Sequence, residues 1–157
     1  MNILVLCTGN SARSVLLESI LNEMGQGRVR AYSAGSQPVG QVNPYAIALL
    51  KSKQQETANL RSKSWDEFAV EGAPEMDIVI TVCANAAGET CPLWPGAPIT
   101  THWGTDDPAA APEAQKPQAF QRAYEILGNR AAAFLKLDFE VMDRSVLMEK
   151  LSRIGRI

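Results

Sequence analysis

The stretch of sequence that decides the fold is the first one, MNILVLCTGNSARSVLLE, which covers residues 1–18. Its apolar block, residues 3–6, is short and contains β-branched side chains, a composition typical of a buried strand. Apolar residues then recur with the spacing of an amphipathic helix at Leu17, Ile20, Leu21 and Met24. Cys7 is therefore predicted to lie on a strand-to-helix turn. At such turns an open α/β sheet presents backbone N–H groups to an anion.

Composition limits the classes of protein to which the chain can belong. Its 157 residues suffice for one domain with a real core, which we expect to span residues 1–157. A hydrophobic share of 46%, a charged share of 20% and a net charge of −2 exclude disorder and argue against nucleic-acid binding. No apolar run approaches the ~20 residues that span a bilayer, so we expect no membrane contact and a cytoplasmic location. The three cysteines cannot all pair, so at least one is expected to be free or reactive.

The rest of the chain alternates between strand and helix patterns. Apolar runs predict strands over residues 29–33, 76–82 and 99–103. Helices are predicted from the Asn43-Pro44 start through residue 50, near Ser64, along residues 119–127 and over residues 144–153. This alternation predicts a parallel sheet covered by helices on both faces.

The turn after the first strand has the composition of an oxyanion-binding loop. A helix N-terminus and the guanidinium of Arg13 would lower the pKa of a cysteine thiol at position 7, and the Ser14 hydroxyl could hydrogen-bond the sulfur. Backbone N–H groups of residues 8–14 can form a concave nest for a tetrahedral anion, which Arg13 can grip with two donors. Asn10 tolerates left-handed backbone geometry and can hold the loop's shape. The alternative is a buried apolar cysteine beside an ordinary turn.

The loop as a whole resembles the signature of the low-molecular-weight protein tyrosine phosphatases and of the arsenate reductases that share their fold. It runs Cys7, Thr8, Gly9, Asn10, Ser11, Ala12, Arg13 and Ser14. The likeness continues at residues 32–36, at residues 61–65, at the strand that ends at Cys83 and at residues 106–108. It implies a three-layer, flavodoxin-like α/β fold around a four-stranded parallel sheet. It also implies substrate binding by residues 8–14, with Cys7 as nucleophile, Arg13 as oxyanion ligand and Asp107 as general acid.

The aspartate assignment has competitors in the same loop. Asp107 precedes Pro108 after a predicted strand end, so it could swing over the anion loop and protonate a leaving oxygen. Alone, it would be read as a turn or helix-capping residue. Asp106 is the neighbouring candidate, and the proline spacing of the family favours Asp107.

The other two cysteines favour the reductase branch. Cys83 ends a predicted strand at the sheet edge where Cys7 lies, and Cys91 follows a segment of small residues. These positions match the order of the three redox cysteines in thioredoxin-coupled members. The resemblance thus implies that Cys83 attacks a Cys7–arsenic adduct and that Cys91 carries the disulfide outward. The alternative readings are a structural cysteine at 83 and an incidental one at 91.

The substrate branch stays open at this stage. A tyrosine phosphatase is expected to line its cleft with aromatic residues after the Asp-Pro pair, whereas alanines occupy 109–111 here. The leading prediction is reduction of arsenate to arsenite. Hydrolysis of phosphomonoesters and a non-catalytic oxyanion or redox sensor are the alternatives.

The electron donor and the metal content are less constrained. Some thioredoxin-coupled relatives have a cysteine where this chain has Ala12, and the spacing of Cys83 and Cys91 is one residue longer than expected. The donor could therefore be thioredoxin or glutathione with glutaredoxin. No cysteine or histidine spacing predicts zinc. The resemblance adds a potassium site beside the loop, formed by Asn10, Glu18, Ser33 and Asp66.

Overall fold

The computed structural model describes residues 1–89, 92 and 94–157, which form four strands, five α-helices and three short 3₁₀ turns. The strands are β1 (Asn2–Leu6), β2 (Arg30–Ala34), β3 (Ile78–Thr81) and β4 (Ile99–His102). The helices are α1 (Arg13–Gly25), α2 (Pro44–Ser52), α3 (Ala84–Gly88), α4 (Lys116–Leu135) and α5 (Arg144–Ile154). The 3₁₀ turns are Trp65–Phe68, Pro108–Ala110 and Glu113–Gln115.

The strands form one parallel sheet in the order β2-β1-β3-β4. Every residue of β3, and residues 3–6 of β1, are buried. Successive strand residues point to opposite faces, so continuous burial means that both faces are covered. The edge strand β4 instead alternates buried and exposed residues. The predicted α/β architecture with a four-stranded parallel sheet is confirmed.

Helix packing closes the core around this sheet. Helix α1 packs against α4 and β2, and α5 packs against β4 and α4. Trp103, which follows β4, is fully buried and donates from its indole N–H to the carbonyl of Leu151 at 3.0 Å. Across the described residues, no helix is long and apolar enough to cross a membrane.

Two local expectations from the sequence differ from the structure. Met24 was expected on the apolar face of α1 but is exposed, although Gly25 in the same turn is buried. The small residues after Cys83, for which no helix was predicted, form α3, and the sulfur of Cys83 accepts the Ala86 N–H at the start of that helix.

Candidate active site

The sheet order brings two cysteines to one point. The chain leaves β1 for β2 on one side and returns to β3 on the other, so the crevice between β1 and β3 is the topological switch point of the sheet. Cys7 directly follows β1, and Cys83 lies two residues beyond β3. Leu6 and Thr81 are register partners, and the Val82 N–H donates to the carbonyl of Leu6 at 3.0 Å. Both cysteines therefore lie at the carboxyl ends of adjacent strands.

In the loop between β1 and α1, backbone carbonyls accept hydrogen bonds from residues outside the loop. Three of them accept N–H donors from the segment that follows β2: Thr8 from Gln37 at 3.0 Å, Gly9 from Val39 at 3.1 Å and Ser11 from Asn43 at 2.9 Å. Carbonyls held in this way cannot face the loop's concave side. Hydrogen bonds to the segment after β2 therefore fix the shape of the loop without a bound ligand.

The N–H groups of the same loop are left available. Within the described part of the chain, the backbone N–H groups of Asn10, Ser11 and Ala12 donate to no protein acceptor. Ala12 is the residue before α1 and provides no side-chain cap for that helix. Successive unpaired N–H groups at a helix N-terminus form an anion-binding nest. The loop at residues 8–14 thus presents N–H groups that could bind an anion.

Asn10 fixes the curvature of the loop. It is fully buried with a φ of 45°, the left-handed conformation anticipated from its residue type. Its amide nitrogen donates to the hydroxyls of Ser14 at 2.8 Å and Ser33 at 3.0 Å, and its oxygen accepts the Lys63 N–H at 2.9 Å. The Ser14 hydroxyl, which could have bonded the Cys7 sulfur, is thus engaged with Asn10.

The two sulfur atoms share a proton. The Cys7 thiol donates to Cys83, which raises the pKa of Cys7, and burial raises it further while the charge of Arg13 opposes the rise. The same contact lowers the pKa of Cys83 to about 5. The Cys83 sulfur also accepts the N–H groups of Thr8 and Ala86, both at 3.4 Å. The two thiols therefore titrate as a coupled pair.

Arg13 keeps guanidinium donors available for a ligand. Its Nη1 donates to the Thr105 carbonyl at 2.8 Å, and its Nη2 lies 3.8 Å from Oδ2 of Asp107. Its Nε is buried and has no hydrogen-bond partner among the described residues. A buried guanidinium N–H without a partner is costly in a protein, so this geometry favours an anion beside it.

Asp107 caps a turn and faces Arg13. Its Oδ1 accepts the Ala109 N–H at 3.0 Å and so caps the 3₁₀ turn at Pro108–Ala110, while its other oxygen faces Arg13. Its side chain is 45% exposed, which leaves it open to substrate and solvent. Asp106 is also exposed, but in the described structure no ion pair joins it to Arg13.

Of the four residues expected to form a potassium site, Asn10, Ser33 and Glu18 contact one another. Asn10 donates to Ser33, whose hydroxyl and N–H face the Glu18 carboxylate and help hold down its pKa, which burial raises. Asp66 is exposed on the turn at Trp65–Phe68. In residues 1–89, 92 and 94–157, no cluster of three or more His, Cys, Asp or Glu side chains could hold a metal ion.

Sequence reasoning gave no role to three residues that contact the site. Glu89 accepts a hydrogen bond from the Thr8 hydroxyl at 2.6 Å, Lys63 anchors Asn10, and Gly35 lies against the loop. Lys63 and Gly35 lie in segments that carry the family resemblance, which was their only signal. Cys91 lies outside the residues that the structure describes.

Replacement of Gly35 by alanine is expected to distort the anion loop. The added Cβ would lie 2.4 Å from the Thr8 carbonyl oxygen and 2.5 Å from that of Cys7, and backbone atoms cannot move aside cheaply. Overpacking of this kind costs about 1–3 kcal/mol of unfolding free energy. Misplacement of the loop should weaken catalysis on the order of 10²-fold. Thermal unfolding and aryl phosphate hydrolysis measure the two effects.

Gly128→Ala provides the matched control for Gly35→Ala. Gly128 lies inside α4, and an added Cβ there meets nothing within 4 Å. Alanine favours a helix interior over glycine by ~0.5–1 kcal/mol, so this variant should gain stability and keep full activity. Equal behaviour of the two variants would contradict the role given to Gly35.

Comparison with known proteins agrees with this geometry. The sequence model of the family described as low molecular weight phosphotyrosine protein phosphatase matches residues 2–146. The arsenate reductase of Bacillus subtilis (strain 168) is 37% identical over 131 residues, which are 82% of this chain and 91% of that protein.

Solved structures support the fold. A structure of an arsenate reductase in the phosphate binding state has a TM-score of 0.70 and 22% identity, covering 86% of this chain and 96% of that one. A thioredoxin-dependent arsenate reductase of Corynebacterium glutamicum has a TM-score of 0.66 and 20% identity, covering 86% of this chain and 60% of that one. Because the family model spans nearly the whole chain and the Bacillus relative matches most of it, this chain belongs to the low molecular weight phosphotyrosine protein phosphatase family.

Proposed function

We propose that the protein is an arsenate reductase that uses Cys7 as nucleophile and Cys83 as the thiol that resolves the first product. The observation that carries this proposal is the approach of Cys83 to Cys7 beside the anion loop, where the Cys83 sulfur also accepts the Thr8 N–H at 3.4 Å. Hydrolysis of a phosphate ester needs only the first thiol. A second thiol in contact with the nucleophile has a chemical purpose when electrons must be delivered.

Substrate binding falls to the loop of residues 8–14. The unpaired N–H groups of Asn10, Ser11 and Ala12 and the buried Nε of Arg13 offer donors to a tetrahedral anion. Donors of this kind, fixed before the ligand arrives, stabilise charge without the cost of reorganising water. Arsenate and phosphate share the shape and charge that such a site recognises.

The first chemical step forms a bond between sulfur and arsenic. A proton passes from Cys7 to Cys83, and the Cys7 thiolate attacks arsenic(V). The S–As bond forms as one As–O bond breaks, and Asp107 protonates the leaving oxygen, which departs as water. No electrons have yet been transferred to arsenic.

The second step transfers two electrons. The Cys83 sulfur attacks the sulfur of Cys7, the S–S bond forms and the S–As bond breaks. The electron pair of the broken bond stays on arsenic, which leaves as arsenite, and the proton held by Cys83 goes to an arsenite oxygen. The two cysteines are oxidised to a disulfide while arsenic(V) is reduced to arsenic(III).

The external reductant therefore has to reduce a protein disulfide and does not act on the Cys7–arsenic adduct. Because Cys83 touches Cys7, it attacks with a far higher effective concentration than a free thiol in solution. We propose that Cys91 next attacks Cys83 to release Cys7, and that a dithiol protein such as thioredoxin reduces the Cys83–Cys91 disulfide. This scheme needs reduced cysteines at rest, which fits a cytoplasmic location.

In the described part of the chain, the cavity beside Asp107 lacks an aromatic wall, although its lining includes no residue of the anion loop. It has a volume of about 500 Å³ and is lined by Pro108 and by Ala110, Ala111, Ala119 and Ala123 among other residues. Among the described residues that line it, none is aromatic, so it offers no stacking surface for a phenyl ring. Phosphatase activity would then be a side activity of the same loop.

The deciding experiment is arsenate-dependent oxidation of NADPH, measured separately with a thioredoxin system and with a glutathione and glutaredoxin system. We expect turnover with the thioredoxin system and little with glutaredoxin. Efficient turnover with glutaredoxin alone would remove Cys91 from the scheme. Absence of turnover with both systems, together with brisk hydrolysis of aryl phosphates, would identify a phosphatase instead.

Replacement of Asp107 by asparagine is expected to slow arsenate reduction by about 10²–10⁴-fold, the usual contribution of a general acid. An asparagine oxygen can still accept the Ala109 N–H, so the 3₁₀ turn should persist. Asp106→Asn is the matched control, since it alters the neighbouring carboxylate in the same loop. Initial rates at saturating thioredoxin measure both variants, and equal or reversed losses would reassign the acid to Asp106.

A further inference from the structure

Four buried side chains form a closed ring beneath the anion loop. The Lys63 N–H donates to the Asn10 oxygen at 2.9 Å, the Asn10 amide donates to the Ser33 hydroxyl at 3.0 Å, and Ser33 faces Glu18. The ammonium of Lys63 completes the ring, 3.9 Å from Oε1 of Glu18. The ring links Asn10, which shapes the loop, to residues on α1, β2 and the segment before Ser64.

The two charged side chains of this ring are buried. Glu18 and Lys63 are each only 8% exposed. Burial of both members of an ion pair costs more free energy than the pair commonly returns, so such a pair is weak evidence of a stabilising role. The Lys63 ammonium has one further partner, the Arg61 carbonyl at 3.2 Å. Because burial of the Lys63 ammonium costs free energy, we infer that its role is to position other residues rather than to stabilise the fold.

The ring does not fit a potassium ion. Such an ion is held by a set of oxygen atoms that replace its water shell. Here the oxygen of Asn10 is occupied by the Lys63 N–H, and the Ser33 hydroxyl accepts from Asn10. Asp66 is exposed, and the ammonium of Lys63 lies beside the buried carboxylate of Glu18. A cation bound to Glu18 would meet a like charge at close range.

We propose that Lys63 supplies from within the chain the positive charge that a monovalent cation would otherwise provide beneath the anion loop. Lys63 is then a positioning residue: its ammonium holds Glu18 against Ser33, and this contact keeps Asn10 in the conformation that shapes the loop. Its effect on arsenate reduction rests on the proposed function. Its effect on cation response and stability does not.

The test compares the wild-type protein with Lys63→Met in potassium chloride and in choline chloride at equal ionic strength. The wild type should unfold at the same temperature in both salts and show equal KM values for arsenate. Lys63→Met should unfold on the order of 10 °C lower in choline chloride. Added potassium should raise that temperature with saturation, because a cavity of about 350 Å³ lined by Glu18 gives ions a route to the bared carboxylate. The KM of the variant for arsenate should rise on the order of tenfold in choline chloride and recover in potassium chloride.

Two further variants complete the comparison. Lys63→Arg keeps the positive charge and should remain indifferent to potassium. The double variant Glu18→Gln with Lys63→Met removes both charges, and it should fold without any potassium response. A saturable rise of the wild-type unfolding temperature in potassium chloride would overturn the proposal, and so would a Lys63→Met variant with unchanged stability and KM in both salts. The unfolding measurements decide this even if the protein proves not to reduce arsenate.

Discussion

The Cys7→Ser variant is expected to lose both arsenate reduction and aryl phosphate hydrolysis down to background. Both reactions start with attack by the Cys7 sulfur on the central atom of the anion. A serine hydroxyl ionises far less readily than a thiol. An adduct in which the serine oxygen is bonded to arsenic also could not form a disulfide with Cys83, so it could not release arsenite in the second step. Arsenate-dependent NADPH oxidation and release of p-nitrophenol measure the two activities.

Phosphate binding provides the control for this variant. The unpaired N–H groups of the loop and the Nε of Arg13 remain in Cys7→Ser, so phosphate should still raise its unfolding temperature. Loss of activity with retained phosphate binding locates the effect in chemistry rather than in folding. Retention of either activity near the wild-type rate would show that the two reactions do not share this nucleophile.

The Cys83→Ser variant should stop multiple turnover of arsenate while it keeps phosphatase activity. Serine at 83 can still accept the Ala86 N–H, so the start of α3 should be preserved. Without the second thiol, the Cys7–arsenic adduct has no partner that can take the sulfur and release arsenite. Arsenite formed per enzyme in a rapid-quench experiment, together with p-nitrophenyl phosphate hydrolysis, tests both halves of the prediction.

The same variant should make Cys7 more acidic. The proton shared with Cys83 is the largest cause that raises the pKa of Cys7, and its removal leaves the charge of Arg13 to lower that pKa. Alkylation of Cys7 by iodoacetamide should therefore begin at lower pH in Cys83→Ser than in the wild type. An unchanged pH profile would mean that the two sulfurs do not share a proton.

Cys91→Ser separates the relay from direct attack by glutathione. This variant should permit one oxidation and trap a Cys7–Cys83 disulfide, which peptide mass mapping after arsenate treatment would detect. If the wild type forms no Cys83–Cys91 bridge and Cys91→Ser turns over normally with glutathione, the three-cysteine relay is wrong.

The sheet could be predicted from the sequence because its strands are buried on both faces. Continuous apolar runs such as residues 3–6 indicate burial directly. The predicted strands differ from the observed ones only at their ends: the strand predicted over residues 76–82 contains β3 at Ile78–Thr81. Backbone pairing does extend past those ends, since Asp77 donates to Asn2 and Val82 donates to Leu6. Helix α3 could not be predicted, because its five residues, three alanines, one asparagine and one glycine, show no helical period.

The parts of the site that depend on the order of residues along the chain could be predicted from the sequence. The parts that depend on how deeply a side chain is buried could not. Cys7 and Arg13 follow from a strand, a turn and a helix in sequence, and the approach of Cys83 follows from parallel strands that end at one edge. The proton shared by the two sulfurs requires β3 to lie directly beside β1, which residue spacing does not specify. Lys63 has no apolar pattern around it that would indicate burial, so its place under the loop emerges only from the fold.

The attachments of the two cysteines have an evolutionary consequence. The loop after β1 is bound through its carbonyls and Asn10 to residues 37–43, β2 and Lys63, whereas Cys83 and α3 meet it at Cys7 and Thr8. In the proposed function, anion capture and electron delivery thus depend on separate segments of the chain that meet at these two residues. A lineage can exchange the segment after β3, and with it the redox partner, while the apparatus that captures the anion is inherited unchanged.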